Sequence, residues 1–392
     1  MTKALQLARS FKRAGLRVVL CETPPYAITS HRFSRCVDKF VTTPSPDDPD
    51  YSTRLVELVR QESIDFYVPV CSPVASLHDS FARRELDTYC EVIHPSPQLI
   101  GMLDDKFRLA KAAEKIGLGA CESHLITDAQ QVIDFDFANK TRPFILKSIK
   151  YDSVRRLDLT PLPRPTKLET EEFVSELPIA PERPWVLQEY IPGLEFCTHS
   201  TARGGQLRLH VCCESSPFQV NYDPVDEPEV EAWVREFIDH YCLDGQISFD
   251  FIRADDDQKL YVIECNPRTH SAITAFHDHP HVAEAYLGGE RESDSLPVTV
   301  TQRPLASAKP TFWMVHELWR IVSNLHRPGI VSKRLAVIRQ GKDAVFDWND
   351  PAPFFMLHHF HIPMLLLRDV WQNRGWIRVD FNIGKLVQPG GD

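Results

Sequence analysis

An α/β fold class is what the sequence predicts, on three observations: helical and β-prone segments alternate early in the chain, a later stretch strings together strands that read as antiparallel, and no segment repeats. Helix-like Ala4 to Lys12 precedes the apolar run Val18 to Cys21, and helix-like Thr53 to Gln61 precedes Phe66 to Val70, the order expected of short parallel strands. A chain of this kind normally opens on a strand and a glycine turn. This one begins at the helix, so the amino-terminal α/β domain, residues 1–104, is expected to lack its first strand. The second region, 105–302, starts with DDKFRLAKAAEKIGLG, a helix closed by Gly117 and Gly119. Pro143 to Ser148 and Trp185 to Tyr190 follow as strands, separated by a polar stretch rich in Arg and Pro. FCTHSTA from Phe196, LRLHVCCES from Leu207, ISFDFIRA from Ile247 and LYVIECNP from Leu260 then read as antiparallel strands. Residues 303–392 turn rich in Trp, His and Phe, with a helix from Thr311 to Asn324, and are taken as a separate carboxy-terminal module.

Composition narrows the function. With 392 residues, 43% hydrophobic and 25% charged, the chain has material for two or three domains. Its 44 Lys and Arg against 54 Asp and Glu leave a net charge of -10 with no basic cluster, which excludes a nucleic-acid binder. Ten cysteines without a C-x-x-C pair fit reduced thiols and a cytoplasmic location. The amino-terminal MTKALQLARSFKRAGLRVVLCE is a basic amphipathic helix and a strand rather than a signal peptide. Phe354 to Leu367, FFMLHHFHIPMLLL, is too short to span a membrane and carries three His and Pro363, so a buried helix is expected there. Neither G-x-x-x-x-G-K-[ST] nor G-x-G-x-x-G occurs.

The residues that carry chemistry begin at a hairpin. A turn centred on the acidic tip Asp255 to Asp257 sets Asp250 opposite Glu264, and strand alternation puts Glu264 and Asn266 on one face. Carboxylates opposed across strands repel unless a cation bridges them, and Mg²⁺ suits hard oxygen ligands supplemented by phosphate and water. The alternative is a solvated face with each acid near some Lys or Arg. Pro267 ends the strand and places Arg268 beside the metal, where it either holds a phosphoryl or carboxylate group or pairs with a nearby acid. Lys147 interrupts an apolar strand and needs an anionic partner if buried. Lys106 heads its helix, the end where a cation is least favoured. Between a strand and Pro192-Gly193, the segment from Gln188 to Glu195 offers backbone groups to a purine edge and an acid to ribose hydroxyls. His277, His279 and His281 alternate, but Pro280 and the lack of further ligands argue against zinc.

Taken in order, Lys106, Lys147, QEYIPGLE, SFDFI and VIECNPR resemble the pattern of the ATP-grasp superfamily from about Asp105 to Leu287. The resemblance implies an ATP-grasp fold, in which the amino-terminal α/β domain is joined to two α+β subdomains clasping ATP, with residues 120–190 as the small lid and a carboxy-terminal extension. It implies that Lys106 and Lys147 contact ATP phosphates and that Gln188, with Glu189 and Ile191, meets adenine. By the same resemblance Glu195 holds the ribose, Asp250, Glu264 and Asn266 bind Mg²⁺ or Mn²⁺, and Arg268 steadies the phosphorylated intermediate. The usual glycine-bearing phosphate lid is replaced by YDSVRRLDL, so Ser153, Arg155 and Arg156 are expected to cover the triphosphate by charge, unless the arginines are merely solvated.

KSIKYDSVRRLDL, EFCTHSTARGGQLRLHVCCESS, GQISFDFI, ECNPRTHSAIT and DFNIGKLV carry a narrower resemblance, to the ATP-grasp enzymes of mycosporine biosynthesis, the mycosporine-glycine synthases. It implies an ADP-forming ligase that joins glycine to the cyclohexenone 4-deoxygadusol through a phosphorylated enol. Its partners would be small molecules, and it leaves room for a homodimer. His199, His270, Ser271 and Thr274 are the acceptor-site candidates, His270 either as a base toward the amine or as a hydrogen-bonding support. An acyl-phosphate ligase of ordinary carboxylates, and an ATP-binding protein with impaired turnover, are the rival readings.

Overall fold

The computed structural model describes residues 1–70, 73–150, 155, 158–215, 221–287, 300–373, 375–376, 378–380 and 384–387. Ser153 and Arg156 lie outside these. The amino-terminal part runs α1 (Thr2–Arg13), β1 (Val19–Glu22), β2 (Lys39–Thr42), α2 (Tyr51–Glu62), β3 (Phe66–Tyr67), α3 (Pro73–Leu86), β4 (Glu91–Val92) and α4 (Pro97–Leu103). Its strands are parallel as expected, but they pair two by two, β1 with β2 and β3 with β4, rather than in one sheet. Leu55 and Val59, one turn apart on α2, pack with Ala82, Leu86 and Val92.

A smaller unit, where the sequence leads us to expect the lid, consists of β5 (Ser123–Ile126), α6 (Ala129–Ile133), β6 (Phe144–Ser148), α7 (Lys167–Ser175) and β7 (Trp185–Glu189), preceded by α5 (Lys106–Lys115). Its three antiparallel strands lie in the order β5-β7-β6 over a core of their own that includes Phe144, Leu146, Val174, Trp185 and Leu187. The main sheet follows: β8 (Gly193–Arg203), β9 (Gln206–Glu214), β10 (Asn221–Tyr222), β11 (Pro224–Val225), α8 (Pro228–His240), β12 (Gly245–Ala254) and β13 (Leu260–Asn266). Its order is β11-β9-β8-β12-β13, antiparallel throughout. Alternation along β12 turns Ile247, Phe249 and Phe251 onto α8, where the Trp233 ring centroid lies 5.1 Å and 5.0 Å from those of Phe249 and Phe251. Asp250, between them, is thereby turned to the opposite face. Gly193, at the junction of the smaller unit and the main sheet, tolerates nothing larger, since a Cβ there would lie 2.1 Å from the Arg253 carbonyl oxygen.

The carboxy-terminal segments are α9 (Val282–Leu287), β14 (Thr311–Phe312), α10 (Met314–Ser323), α11 (Pro328–Gln340), β15 (Lys342–Asp343), α12 (Ala352–Met356), α13 (Ile362–Trp371), β16 (Arg378–Asp380) and β17 (Lys385–Val387). They do not stand apart as a separate module. Trp313, Val345, Leu357, Ile362, Leu365 and Leu386 share one core cluster with Leu5 and Leu7 of α1 and with Ile273 and Phe276, and β14 pairs with β10. The stretch expected to be a buried helix is instead α12, a π turn over Leu357–His361 and α13, with Leu357, Ile362 and Leu365 inside and Phe355, Phe360 and Leu367 exposed. A helix covering a core on one side only buries one stripe, which explains the difference. No helix of the described residues is long and apolar enough to cross a membrane.

Asp350 ties this region to the amino-terminal part. Its buried carboxylate accepts hydrogen bonds from Arg9 Nε at 3.0 Å, Ser34 Oγ at 2.7 Å and the Arg35 amide at 3.0 Å. Asp350→Ala strands the Arg9 guanidinium, so a loss of about 3–5 kcal/mol is expected in denaturant titration; a change within experimental error would show the clamp to be idle.

Candidate active site

Asp250 and Glu264 are directly paired across β12 and β13, at a point where the register shifts by one residue between Asp250 and Phe251. The Asn266 amide bridges them, with Nδ2 at 3.4 Å from Asp250 Oδ2 and 3.4 Å from Glu264 Oε1. Asp250 is buried and its Oδ1 has no hydrogen-bond partner among the described residues. Burial, reinforced by the Glu264 charge, raises its pKa well above the usual carboxylate range. Glu264 moves the other way, because the Lys106 ammonium lies 3.1 Å from its Oε2 and favours the ionised form. Burial alone would lower the Lys106 pKa, but Glu264 reverses that and raises it.

The helix that delivers Lys106 is capped by Asp105, whose carboxylate accepts from the amides of Phe107 and Arg108. Arg268, two residues past Asn266, donates from Nη1 to Asn266 Oδ1 at 2.5 Å. Its position is fixed from behind: Ser76 Oγ donates to the Pro267 carbonyl at 3.1 Å, and Thr269 Oγ1 donates to Gln246 Oε1 at 2.5 Å. Gln246 in turn accepts from Tyr286 and donates to the Pro69 carbonyl, so three parts of the chain hold this turn.

On β6, Lys147 Nζ donates to the Asp158 carbonyl at 2.7 Å, and the amide of Asp158 donates to the Arg155 carbonyl at 3.0 Å. Glu195 stands open at the start of β8, its pKa raised by partial burial and by Glu264, with Lys147 acting against both. The five charges Lys106, Lys147, Glu195, Asp250 and Glu264 thus fall within one electrostatic neighbourhood. Gln188 is buried, with its Nε2 donating to the Ile263 carbonyl at 3.1 Å, which ties β7 to β13. Glu189 leans away, toward Arg142 at 3.4 Å, and Ile191 is buried beside Cys121 and Ile252. Any contact these last two make with a base therefore comes from their backbones.

Among the residues expected to meet the acceptor, the His270 amide donates to His199 Nδ1 at 3.2 Å, which puts the His199 proton on Nε2, buried without a partner among the described residues. His270 caps the 3₁₀ turn Ser271–Phe276, its Nδ1 accepting from the Ala272 amide at 3.3 Å. Burial, with Lys3 and Arg268 adding to it, pulls the His270 pKa down to about 3, so the imidazole is neutral and does not titrate in the range expected from sequence. Thr274 spends its hydroxyl inside the fold, on the Ser271 carbonyl at 2.9 Å and Thr311 Oγ1 at 2.7 Å, and Ser271 is buried against Tyr222. Because Asn caps turns as well as His, His270→Asn is expected to keep most of the turnover rate, with an unchanged pH profile between pH 6 and 8. A large rate loss with a shifted profile would restore the base.

Two groups went unnoticed in the sequence. Lys3 is buried on α1, which packs on the 3₁₀ turn, and its charge acts on both His199 and His270. Asp104 lies beside Arg268 and Lys106, its pKa raised by burial against their opposing pull. The alternating histidines do not converge: His277 pairs with Asp278 at 2.7 Å and His281 with Glu284 at 2.9 Å.

No protein-family model and no curated protein matches the sequence. Solved structures do. An N5-carboxyaminoimidazole ribonucleotide synthetase in its ADP complex superimposes with a TM-score of 0.59 at 16% identity, over 83% of this chain and 83% of that one. A biotin carboxylase from Campylobacter jejuni, in a β,γ-ATP complex, gives 0.56 at 14% identity over 76% and 70%. The biotin carboxylase domain of a thermophilic 2-oxoglutarate carboxylase, bound to bicarbonate, gives 0.52 at 16% over 69% of this chain, which spans 62% of that domain's length. These are ATP-grasp structures, and the likeness shows that this chain has the ATP-grasp fold.

Proposed function

We propose that this chain is an ATP-grasp ligase, ADP-forming, that uses Mg²⁺ or Mn²⁺ and joins an amino acid, glycine, to the cyclohexenone 4-deoxygadusol to give mycosporine-glycine. The observation that carries the ATP half of this reading is the opposed pair Asp250 and Glu264 with an unpartnered buried oxygen, bordered by Lys106 and Arg268. Asp250 and Glu264 are hard oxygen donors that fit Mg²⁺, which would neutralise phosphate charge there, and Asn266 would join them by turning its amide oxygen, here held by Arg268, toward the carboxylates. Lys106, Lys147 and Arg155 would contact the triphosphate, Gln188 and the backbone of Glu189 and Ile191 the adenine, and Glu195 the ribose.

The chemistry asks the chain for positioning and charge rather than covalent help. The acceptor enters as the enolate, its enol proton already lost to solvent, and the enolate oxygen bonds to the γ-phosphorus as the bond from that phosphorus to ADP breaks. Arg268 would hold the transferring group. The amine nitrogen then adds at the carbon that bears the phosphorylated oxygen and loses a proton to solvent, and the carbon–oxygen bond breaks to release phosphate. Lys3 and Arg268, with the neutral His199 and His270 between them, would favour an acceptor that enters as an enolate.

The mycosporine half rests on the sequence resemblance, and products test it. Incubation with ATP and glycine, with and without the cyclohexenone, is expected to give a new ultraviolet chromophore only when all three are present. A second reading, transfer through an acyl phosphate, is favoured by the bicarbonate bound in one of the similar structures. ADP release with a simple carboxylate and no cyclohexenone would select it.

A further inference from the structure

The hairpin of α10 and α11 stands off the body of the protein. Nothing on α11 is buried, and the one buried residue of α10 is Glu317, held by Arg320 at 2.8 Å and Arg334 at 3.6 Å. That ion cluster anchors the hairpin from its inner side, where Asn221 also donates to Glu317 at 3.2 Å. The outer side is apolar. Leu318 (49% exposed), Trp319 (69%) and Val322 (60%) recur at helical spacing, and Leu325 (67%) extends the stripe into the loop. Leu335 on α11 is 53% exposed.

The charge around this stripe runs against that of the whole chain. Between Met314 and Gln340 the exposed ionic residues are Arg327, Lys333 and Arg339, joined by His326, and the sole acid is the buried Glu317. The chain as a whole carries -10. An apolar stripe with Trp and Leu, flanked by cations, is the composition of a helix that lies in the boundary layer of an anionic membrane. A second copy of the chain suits it less well, because a two-fold contact sets a patch against itself and would oppose these cations to their own images.

We propose that the α10–α11 hairpin docks this protein peripherally on anionic lipid, with Trp319, Val322 and Leu325 in the acyl boundary and Arg327, Lys333 and Arg339 at the headgroups. The contact is superficial, since no helix of the described residues can cross a bilayer. None of these side chains belongs to the site built on Asp250 and Glu264.

Co-sedimentation of the full chain with vesicles decides the matter. Binding is expected to phosphatidylcholine vesicles that contain phosphatidylserine, not to phosphatidylcholine alone, and it should be reversed by salt. Trp319→Ser with Val322→Ser should abolish it, and Arg327→Gln with Lys333→Gln should weaken it about 30-fold, with ATP turnover and melting temperature unchanged in both. Failure to sediment with the anionic vesicles at low salt would overturn the proposal. So would equal binding by the variants, or a dimer in light scattering that the Trp319 and Val322 changes dissociate, which would assign the hairpin to a second copy.

Discussion

Glu264→Ala is expected to lower ATP turnover by about three orders of magnitude or more, since it removes both the proposed metal ligand and the partner that holds Lys106. The Lys106 ammonium, 3.1 Å from Glu264, would lose the nearest of the acids that keep it charged. Reading that loss as catalytic requires a control in which the fold is not harmed, and Asp250 provides it. Its carboxyl has a raised pKa from burial and from Glu264, so without metal the neutral acid is the favoured form. Asp250→Asn keeps that neutral shape and removes only the capacity to ionise. In the absence of metal the variant should melt at or above the wild-type temperature, while Mg-ATP should stabilise the wild type and not the variant. ADP release at the wild-type rate by either variant would remove the metal assignment.

The hairpin was legible because alternation, an acidic tip and Pro267 leave little freedom in the register, and the observed pairing of Asp250 with Glu264 is the expected one. Lys106 was less legible, because at a helix start simple exposure is the stronger reading of the residue alone, and its ion pair with Glu264 is seen only in the structure. Lys3 was not legible at all. The segment MTKALQLARSF reads as an amphipathic surface helix, yet Thr2, Lys3, Gln6, Arg9 and Ser10 are buried along with Leu5 and Leu7. The cover on its polar side comes from Asp350 and the 3₁₀ turn at Ser271, more than two hundred residues away in the chain, and periodicity carries no signal of such distant contacts. For the same reason the carboxy-terminal segments, which share a core with α1, could not be told from a module of their own. His270 illustrates a different limit: residue type suggests a base, whereas its backbone position makes it a cap.

Acid should unfold the protein early, and histidines are the reason. His31, His94, His199, His210 and His270 are buried and all have lowered pKa values, for each of which burial is the leading cause. For His210 the value falls from 6.5 to about 4. Such a group takes up its proton more readily in the unfolded chain. Its stabilising contribution is therefore complete above about 6.5 and drains away as the pH falls from there toward the folded value. Between pH 7 and pH 5 a histidine whose folded value is about 4 or about 3, as for His210 and His270, costs about 2 kcal/mol, a large share of the roughly 5–15 kcal/mol that a domain has in hand. Asp250 opposes them: its raised value means that the folded chain holds that proton more tightly, so between the unfolded value of 3.8 and the raised one it adds stability as pH falls. Urea titrations without metal or nucleotide should accordingly show stability dropping by several kcal/mol from pH 7 to pH 5. In Asp250→Asn, where the offset is gone, the drop should be steeper. A midpoint that stays constant over this range would mean that the buried imidazoles accept protons without leaving the fold. Parallel slopes for wild type and Asp250→Asn would mean that Asp250 is ionised in the metal-free protein, and that its charge is already balanced by Arg268 and Lys106.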